Sequence, residues 1–167
     1  MSEFAPHNTL SRLIHRLSPL PEPLQRRAVG LLFGQYSRYF RSNRLKIARL
    51  EPLVVTLSLA NHRRVRNHIG GIHAVAITLA CEYASGLLVG QHVPDRATVV
   101  VKSMHVDLHK AYQGSILATA TLTEEEALAI REQPKGELKV PVSVTDATGG
   151  HPITGYMQMA WFPRKKR

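Results

Sequence analysis

Asn67-His68-Ile69-Gly70-Gly71-Ile72-His73-Ala74 runs straight into an apolar stretch, residues 72–90, whose single acidic residue is Glu82. Asparagine and paired glycines make a turn. The run that follows has the length and the small residues of a buried helix. A helix start presents backbone N–H groups that stabilise negative charge. A carboxylate in an otherwise apolar helix is costly unless it has a task. Donors at a turn and a lone acid on the helix suggest a small enzyme acting on a carbonyl.

On the amino-terminal side, residues 9–18 and 22–40 read as two helices separated by Ser18-Pro19-Leu20-Pro21. Thr9 is the expected cap of the first, with Leu10, Leu13, Ile14 and Leu17 on one face. In the second, Leu24, Ala28, Leu31 and Leu32, extended by Tyr36, form an apolar stripe between arginines. Such a basic amphipathic helix either lies on a membrane or packs against its own domain. Packing is the reading adopted, because no flexible linker separates the helix from the folded region.

Beyond Pro52 the period changes from helical to alternating. Strands are expected at 53–59, 97–108, 115–123, 137–145 and 152–162, with a short helix over 124–131 capped by Thr123. Asp146-Ala147-Thr148-Gly149-Gly150 is a strong turn signal between the last two strands. Simple alternation over 97–108 puts Val100, Lys102, Met104, Val106 and Leu108 on one face. Val99, Val101, Ser103, His105 and Asp107 fall on the other. The order is one helix set early in an antiparallel sheet. No repeated βαβ alternation supports a doubly wound nucleotide-binding fold.

The central helix is expected to bury His73, Ala76, Ile77, Ala80, Cys81, Ala84, Leu87 and Leu88. Glu82 lies on the other side with Val75, Thr78, Leu79, Ser85 and Gly86. His73 and Glu82 are nine residues apart, so they point about 180° apart and lie about 13 Å apart along the axis. They cannot pair within one chain. A two-fold dimer would bring each Glu82 to the other chain's 67–74 segment, and small Ser85 and Gly86 would let another backbone approach.

With 167 residues, 44% of them hydrophobic, the chain suits one ordinary domain. The lone cysteine, Cys81, excludes an intramolecular disulfide and a cysteine-rich metal cluster, and is read as a small core residue. No stretch suits a bilayer span. The start, Met1-Ser2-Glu3-Phe4-Ala5-Pro6, lacks the pattern of a secretory signal, which makes cytoplasm the expected location. The net charge of +10 would attract a polyanion: nucleic acid, anionic lipid or a phosphorylated cofactor. No zinc-finger, helix-turn-helix or phosphate-loop signature accompanies it, so no specific nucleic-acid partner is expected.

The order of elements, together with Arg66-Asn67-His68-Ile69-Gly70, Ile72-His73-Ala74, the strand from Lys102 to Asp107, and Gly136-Glu137-Leu138-Lys139-Val140-Pro141-Val142, resembles the hotdog-fold acyl-CoA thioesterase superfamily. It is most similar to a poorly characterised bacterial thioesterase-like branch, over roughly residues 20–163. The resemblance implies an α+β hotdog fold: a long central helix wrapped by a curved antiparallel sheet, with additional N-terminal helices. The implied organisation is an N-terminal helical segment at 1–50 packed on the domain, a hotdog core at 51–163 and a basic tail at 164–167. It also implies a homodimer or tetramer with the active site at a subunit interface.

In the matching thioesterase pattern Asn67 is the asparagine and His73 the histidine. Ala74 stands where a glycine is usual, and Glu82 where an aspartate is usual. The resemblance implies that the Ala74 N–H polarises the thioester carbonyl, and that Asn67 orients water or assists at the carbonyl. Glu82 of the partner would act as base or nucleophile, with His73 shaping the turn. A water-positioning hydroxyl has no clear match. Val101 is the nearest register, with Ser103 two residues later.

Other readings stay open beside these. Asn67 could serve only to close the turn, and Glu82 could be a buried ion-pair member or a surface residue. His62, Arg63, Arg64 and Arg66 could hold coenzyme A phosphates or form a hydrated rim. His105, Asp107 and His109 share a register but no closed ligand set, so no metal is expected. No resident cofactor is expected either; coenzyme A would enter as part of the substrate. The leading function is hydrolysis of an acyl-CoA or related acyl thioester to free acid and thiol. Its main rival is a non-catalytic acyl-CoA- or metabolite-binding hotdog homodimer, followed by a dehydratase and, last, a nucleic-acid binder.

Overall fold

The computed structural model describes residues 4–164. Met1–Glu3, and the expected basic tail apart from Arg164, lie outside the described residues. Three helices come first: α1 (Thr9–Arg16), α2 (Glu22–Tyr36) and α3 (Arg38–Ser42). Then follow β1 (Lys46–Leu50), β2 (Val54–Leu59), the long helix α4 (Ala74–Gly90), β3 (Ala97–Leu108), β4 (Ile116–Thr121), α5 (Glu124–Glu132), β5 (Gly136–Asp146) and β6 (Ile153–Pro163). The six strands form one antiparallel sheet in the order β1-β2-β4-β5-β6-β3. This is the α+β arrangement the sequence implies.

The core lies between α4 and the inner face of the sheet. Ile77, Ala80, Cys81, Ala84 and Leu88 of the helix are fully buried against Leu57, Ala118, Val140 and Met157 from four strands. Alanines let the helix approach the sheet closely. Each buried aliphatic such as Ile77 or Leu88 contributes about 1.5–3 kcal/mol relative to exposure.

The N-terminal segment is tied to the far end of α4. Asn8 is buried, and its Nδ2 donates to the carbonyls of Gly90 and Val93, each at 2.7 Å. These bonds occupy carbonyls that a helix end leaves without partners. Asn8, rather than Thr9, caps α1 through a reciprocal box with Ser11. Thr9 instead donates to Asp95. Bonds from Thr9 and then Arg12 pull the Asp95 carboxyl down to about 2.

Local differences from the sequence reading have physical causes. The helix expected over 22–40 breaks at Ser37, whose extended backbone ends α2 and whose hydroxyl caps α3. A sixth strand, β1, lies within the segment read as helical. Only Ile47 of its five residues is buried. Charged Lys46 and Arg49 mask its alternation, as expected of a protected edge.

The faces of β3 also differ. A bulge between Val101 and Ser103 shifts the register. Before it, Val99 and Val101 oppose buried Trp161 and Met159; after it, Met104 and Leu108 oppose buried Met157 and Ile153. Directly opposed residues share a face, so the inward set switches from odd to even positions. Ser103 therefore leaves the face of Val101 and opposes Gln158. Met104 and Leu108 face inward yet stay 49% and 50% exposed. β3 is an outer strand, and its inner face is left open at these two residues among the described residues. At Gly155, opposite Val106, a Cβ would collide with the His105 carbonyl oxygen, so only glycine lets β6 and β3 approach.

Candidate active site

The segment between β2 and α4 is built around the Asn67 side chain. Its Oδ1 accepts from the N–H groups of Ile69 (3.1 Å) and Gly71 (3.0 Å), while its backbone N–H donates to Gly71 O at 2.8 Å. Gly70 sits at φ +84°, a left-handed conformation that glycine adopts at little cost. The amide oxygen is thus spent on the turn, which fixes the orientation of the whole amide. Its Nδ2 reaches Ile72 O only at 3.5 Å, a weak contact. That carbonyl already accepts from the Tyr112 hydroxyl. Asn67 therefore closes its turn and still holds a donor in reserve.

Tyr112 is a neighbour that sequence reading missed. It comes from the loop after β3 and is partly buried, and burial raises its phenol pKa. A Cβ on Gly71 would lie 3.6 Å from Asn67 Nδ2 and 3.7 Å from the Tyr112 ring. Nothing in Lys110-Ala111-Tyr112-Gln113 signals this placement, a contact across forty residues of sequence.

His73 is the N-cap of α4. Its backbone N–H donates to Val65 O, and its Nδ1 accepts from the Val75 N–H at 3.2 Å. That bond makes Nδ1 the acceptor and leaves Nε2 to carry the proton of the neutral ring. The imidazole is exposed, contrary to its expected place on the buried side, because the helix begins one residue after it. Ala74 is the first helical residue. Its N–H has no acceptor among the described residues and points out of a helix start, where donors are free and the dipole is positive.

Glu82 sits two turns further along, about 12 Å from Ala74 along the axis. It is half-buried, and no cation or hydrogen-bond donor engages it among the described residues. Burial raises its pKa above the ordinary carboxylate value. Its side of the helix is only partly covered: Val75 is 64% exposed, and a Cβ on Gly86 would meet nothing within 4 Å. Ser85, expected beside it, is instead buried and donates to Cys81 O at 2.9 Å. Cys81 is buried and its thiol is pushed up to about 12, so it is not a nucleophile at neutral pH.

The three arginines of the rim behave differently. Arg63 and Arg64 lie in an exposed 3₁₀ turn (Arg63–Val65), without side-chain partners among the described residues. Arg66 folds back onto Asn61, donating to its Oδ1 at 2.8 Å and its carbonyl at 3.2 Å. His62 reaches Asn43 O at 3.2 Å. His105 meets Asp107 at 3.2 Å while His109 bonds the Thr154 hydroxyl at 2.7 Å, so the three do not converge on one point. In one chain, Asn67, His73 and Ala74 are assembled at one end of α4 and Glu82 stands apart. Two grooves, of about 820 and 570 Å³, lie beside the N-terminal helices and are lined by none of these residues.

The match to the DUF4442 family, a domain of unknown function, spans residues 25–161. The chain belongs to this family. Solved structures extend the comparison of this DUF4442 member. A Pseudomonas aeruginosa protein of unknown function, designated a probable thioesterase, superposes with a TM-score of 0.72 at 23% identity, covering 87% of this chain and 97% of that one. A thioesterase family protein from Silicibacter pomeroyi gives 0.66 at 13% identity over 78% and 93%. A thioesterase from Haemophilus influenzae gives 0.66 at 12% identity over 81% and 91%. At these identities the likeness establishes the fold alone, the hotdog fold of a long helix wrapped by an antiparallel sheet. No curated protein matches the chain. Among the described residues, no helix is long and apolar enough to cross a membrane.

Proposed function

We propose that this DUF4442 protein hydrolyses an acyl-CoA or related acyl thioester at a site shared between two subunits. The observation that carries the reading is Glu82, a half-buried carboxylate without a partner among the described residues, on the open side of a helix whose first N–H is free. A raised pKa suits a general base working near neutrality.

The thioester carbonyl oxygen takes the Ala74 N–H, with Asn67 Nδ2 donating to the carbonyl or to the attacking water. Glu82 of the partner subunit accepts a proton from that water as its oxygen bonds to the acyl carbon. The negative charge moves to the carbonyl oxygen and is held by the helix N-terminus. Collapse breaks the carbon–sulfur bond, and the protonated Glu82 returns its proton to the leaving thiolate. Acid and thiol result, and the carboxylate is restored. His73 holds the first turn of α4 in place through Val75 and does not carry the proton.

The two-fold arrangement is supported by distance, since Ala74 and Glu82 of one chain are too far apart to share a carbonyl. It is also supported by uncovered Val75, Met104 and Leu108, which a second copy or an acyl chain would bury. Dimer and tetramer both satisfy it. Coenzyme A enters as part of the substrate, its phosphates meeting Arg63 and Arg64. Arg66 acts mainly by holding Asn61 and so the shape of the rim. The cytoplasm supplies such thioesters.

A panel of short-, medium- and long-chain and aromatic acyl-CoAs, followed by free-thiol release, tests this. Turnover of a chemically coherent subset is expected. Saturable binding without thiol release would instead support a non-catalytic acyl-CoA-binding homodimer.

A further inference from the structure

Residues 22–49 carry seven arginines and lysines against one acid, Glu22, and so supply most of the chain's net charge of +10. Arg26 is paired with Glu22 and Arg49 with Glu51. Arg27, Arg38, Arg41, Arg44 and Lys46 are exposed, and their side chains have no acceptor among the described residues. Apolar and aromatic groups stand among them: Leu24 is 53% exposed, Leu31 64%, Tyr36 89% and Tyr39 59%. α2 packs through Val29 and Phe33, so these groups are left over after its own packing is complete.

Between α2, α3 and β1 runs the groove of about 820 Å³. Phe40, Leu45 and Ile47 line it with apolar surface, and Arg27, Arg41, Arg44 and Lys46 supply charge around it. The groove therefore offers cations beside an apolar floor.

We infer that this face docks the protein on the surface of an anionic lipid bilayer, with acidic phospholipid head groups entering the groove. The charge complements an anionic surface and attracts it within a Debye length. Leucines at Leu24 and Leu31 reach the boundary between head groups and acyl chains, and Tyr36 and Tyr39 suit the interfacial layer. A second copy of the chain would oppose like charge with like charge. A nucleic acid would satisfy the cations but leave the leucines in water.

Co-sedimentation with vesicles of phosphatidylcholine alone, and of phosphatidylcholine mixed with phosphatidylglycerol, tests the inference. Binding to the mixed vesicles only, weakened by salt, is expected. Arg41→Gln with Arg44→Gln should lower it about 30-fold. Leu31→Ser with Tyr36→Ser should lower it while leaving its salt dependence in place. All four side chains are exposed, and unchanged melting curves verify folding. If the arginine pair melts early, Arg27→Gln with Arg38→Gln serves in its place, and if the apolar pair does, Leu24→Ser with Tyr39→Ser. Equal binding to both vesicles, or none, would overturn the inference. So would retention of a DNA oligonucleotide without vesicle binding, or variants that dissociate an oligomer in light scattering while vesicles never bind.

Discussion

The Ala74 N–H and the Glu82 carboxylate stand on one helix, two turns and about 12 Å apart, the donor without an acceptor and the acid without a partner among the described residues. A thioester carbonyl and its attacking water are separated by about 3 Å in a reactive arrangement. The two groups of a single chain cannot serve one substrate. That mismatch, together with the uncovered inner face at Met104 and Leu108, is what favours a site completed by a second copy.

Glu82→Gln should lower thioester turnover by about 10²–10⁴, the usual contribution of a positioned base. Wild-type activity should rise with pH through a value above the ordinary glutamate range, because burial raises the folded pKa. The same shift has a stability consequence. A carboxyl raised on folding stabilises the fold below its unfolded pKa, and that contribution is lost as pH rises through the folded value. Glu82→Gln should therefore melt no lower than wild type at pH 7. Thiol-release assays and thermal melts read the two effects, and a well-folded variant with normal turnover would exclude the base.

Arg63→Gln with Arg64→Gln should raise KM for acyl-CoA substrates about tenfold and leave kcat within a small factor. Exposed cations meeting phosphates contribute to binding in both ground and transition states. A truncated thioester lacking the nucleotide should not distinguish the variant from wild type. Equal loss on both substrates would instead point to disturbance of the turn.

His92 is fully buried, with Nε2 on Pro52 O at 2.6 Å and Nδ1 accepting from Arg131 Nε at 3.1 Å. Burial lowers its pKa, with further lowering by Arg131 and His7 against the opposing Pro52 bond. A histidine lowered on folding gives its full stabilisation above the unfolded pKa of about 6.5, and loses it as pH falls through the folded value. Melting temperature should therefore decline from pH 7 toward pH 5, with a shallower decline in His92→Gln. Identical slopes would contradict this role.

Much of the architecture was legible in residues that report local physics. The apolar run with one acid marked α4, Thr123 marked the start of α5, and Asp146 with Gly149 marked the last hairpin. β1 was hidden because Lys46 and Arg49 protect an edge, and edge protection resembles a charged loop in sequence. Simple alternation divides the faces of β3 wrongly beyond Val101, because a bulge adds a residue without altering composition. At the site, the turn-closing capacity of Asn67 was visible in its neighbours. The contact with Tyr112, the exposure of His73 and the inward turn of Ser85 were not: the first joins residues forty positions apart, the second follows from α4 starting at Ala74, and the third depends on what packs over the helix.

Complementation between two inactive subunits tests the shared site most directly. Asn67→Ala and Glu82→Gln chains, each impaired alone, are co-expressed with different tags, and the heterodimer is purified through both. If each site takes Asn67 from one chain and Glu82 from the other, one of the two sites is intact. The heterodimer should then recover about half of wild-type thioester turnover. Activity no greater than that of the two parent variants would contradict the account.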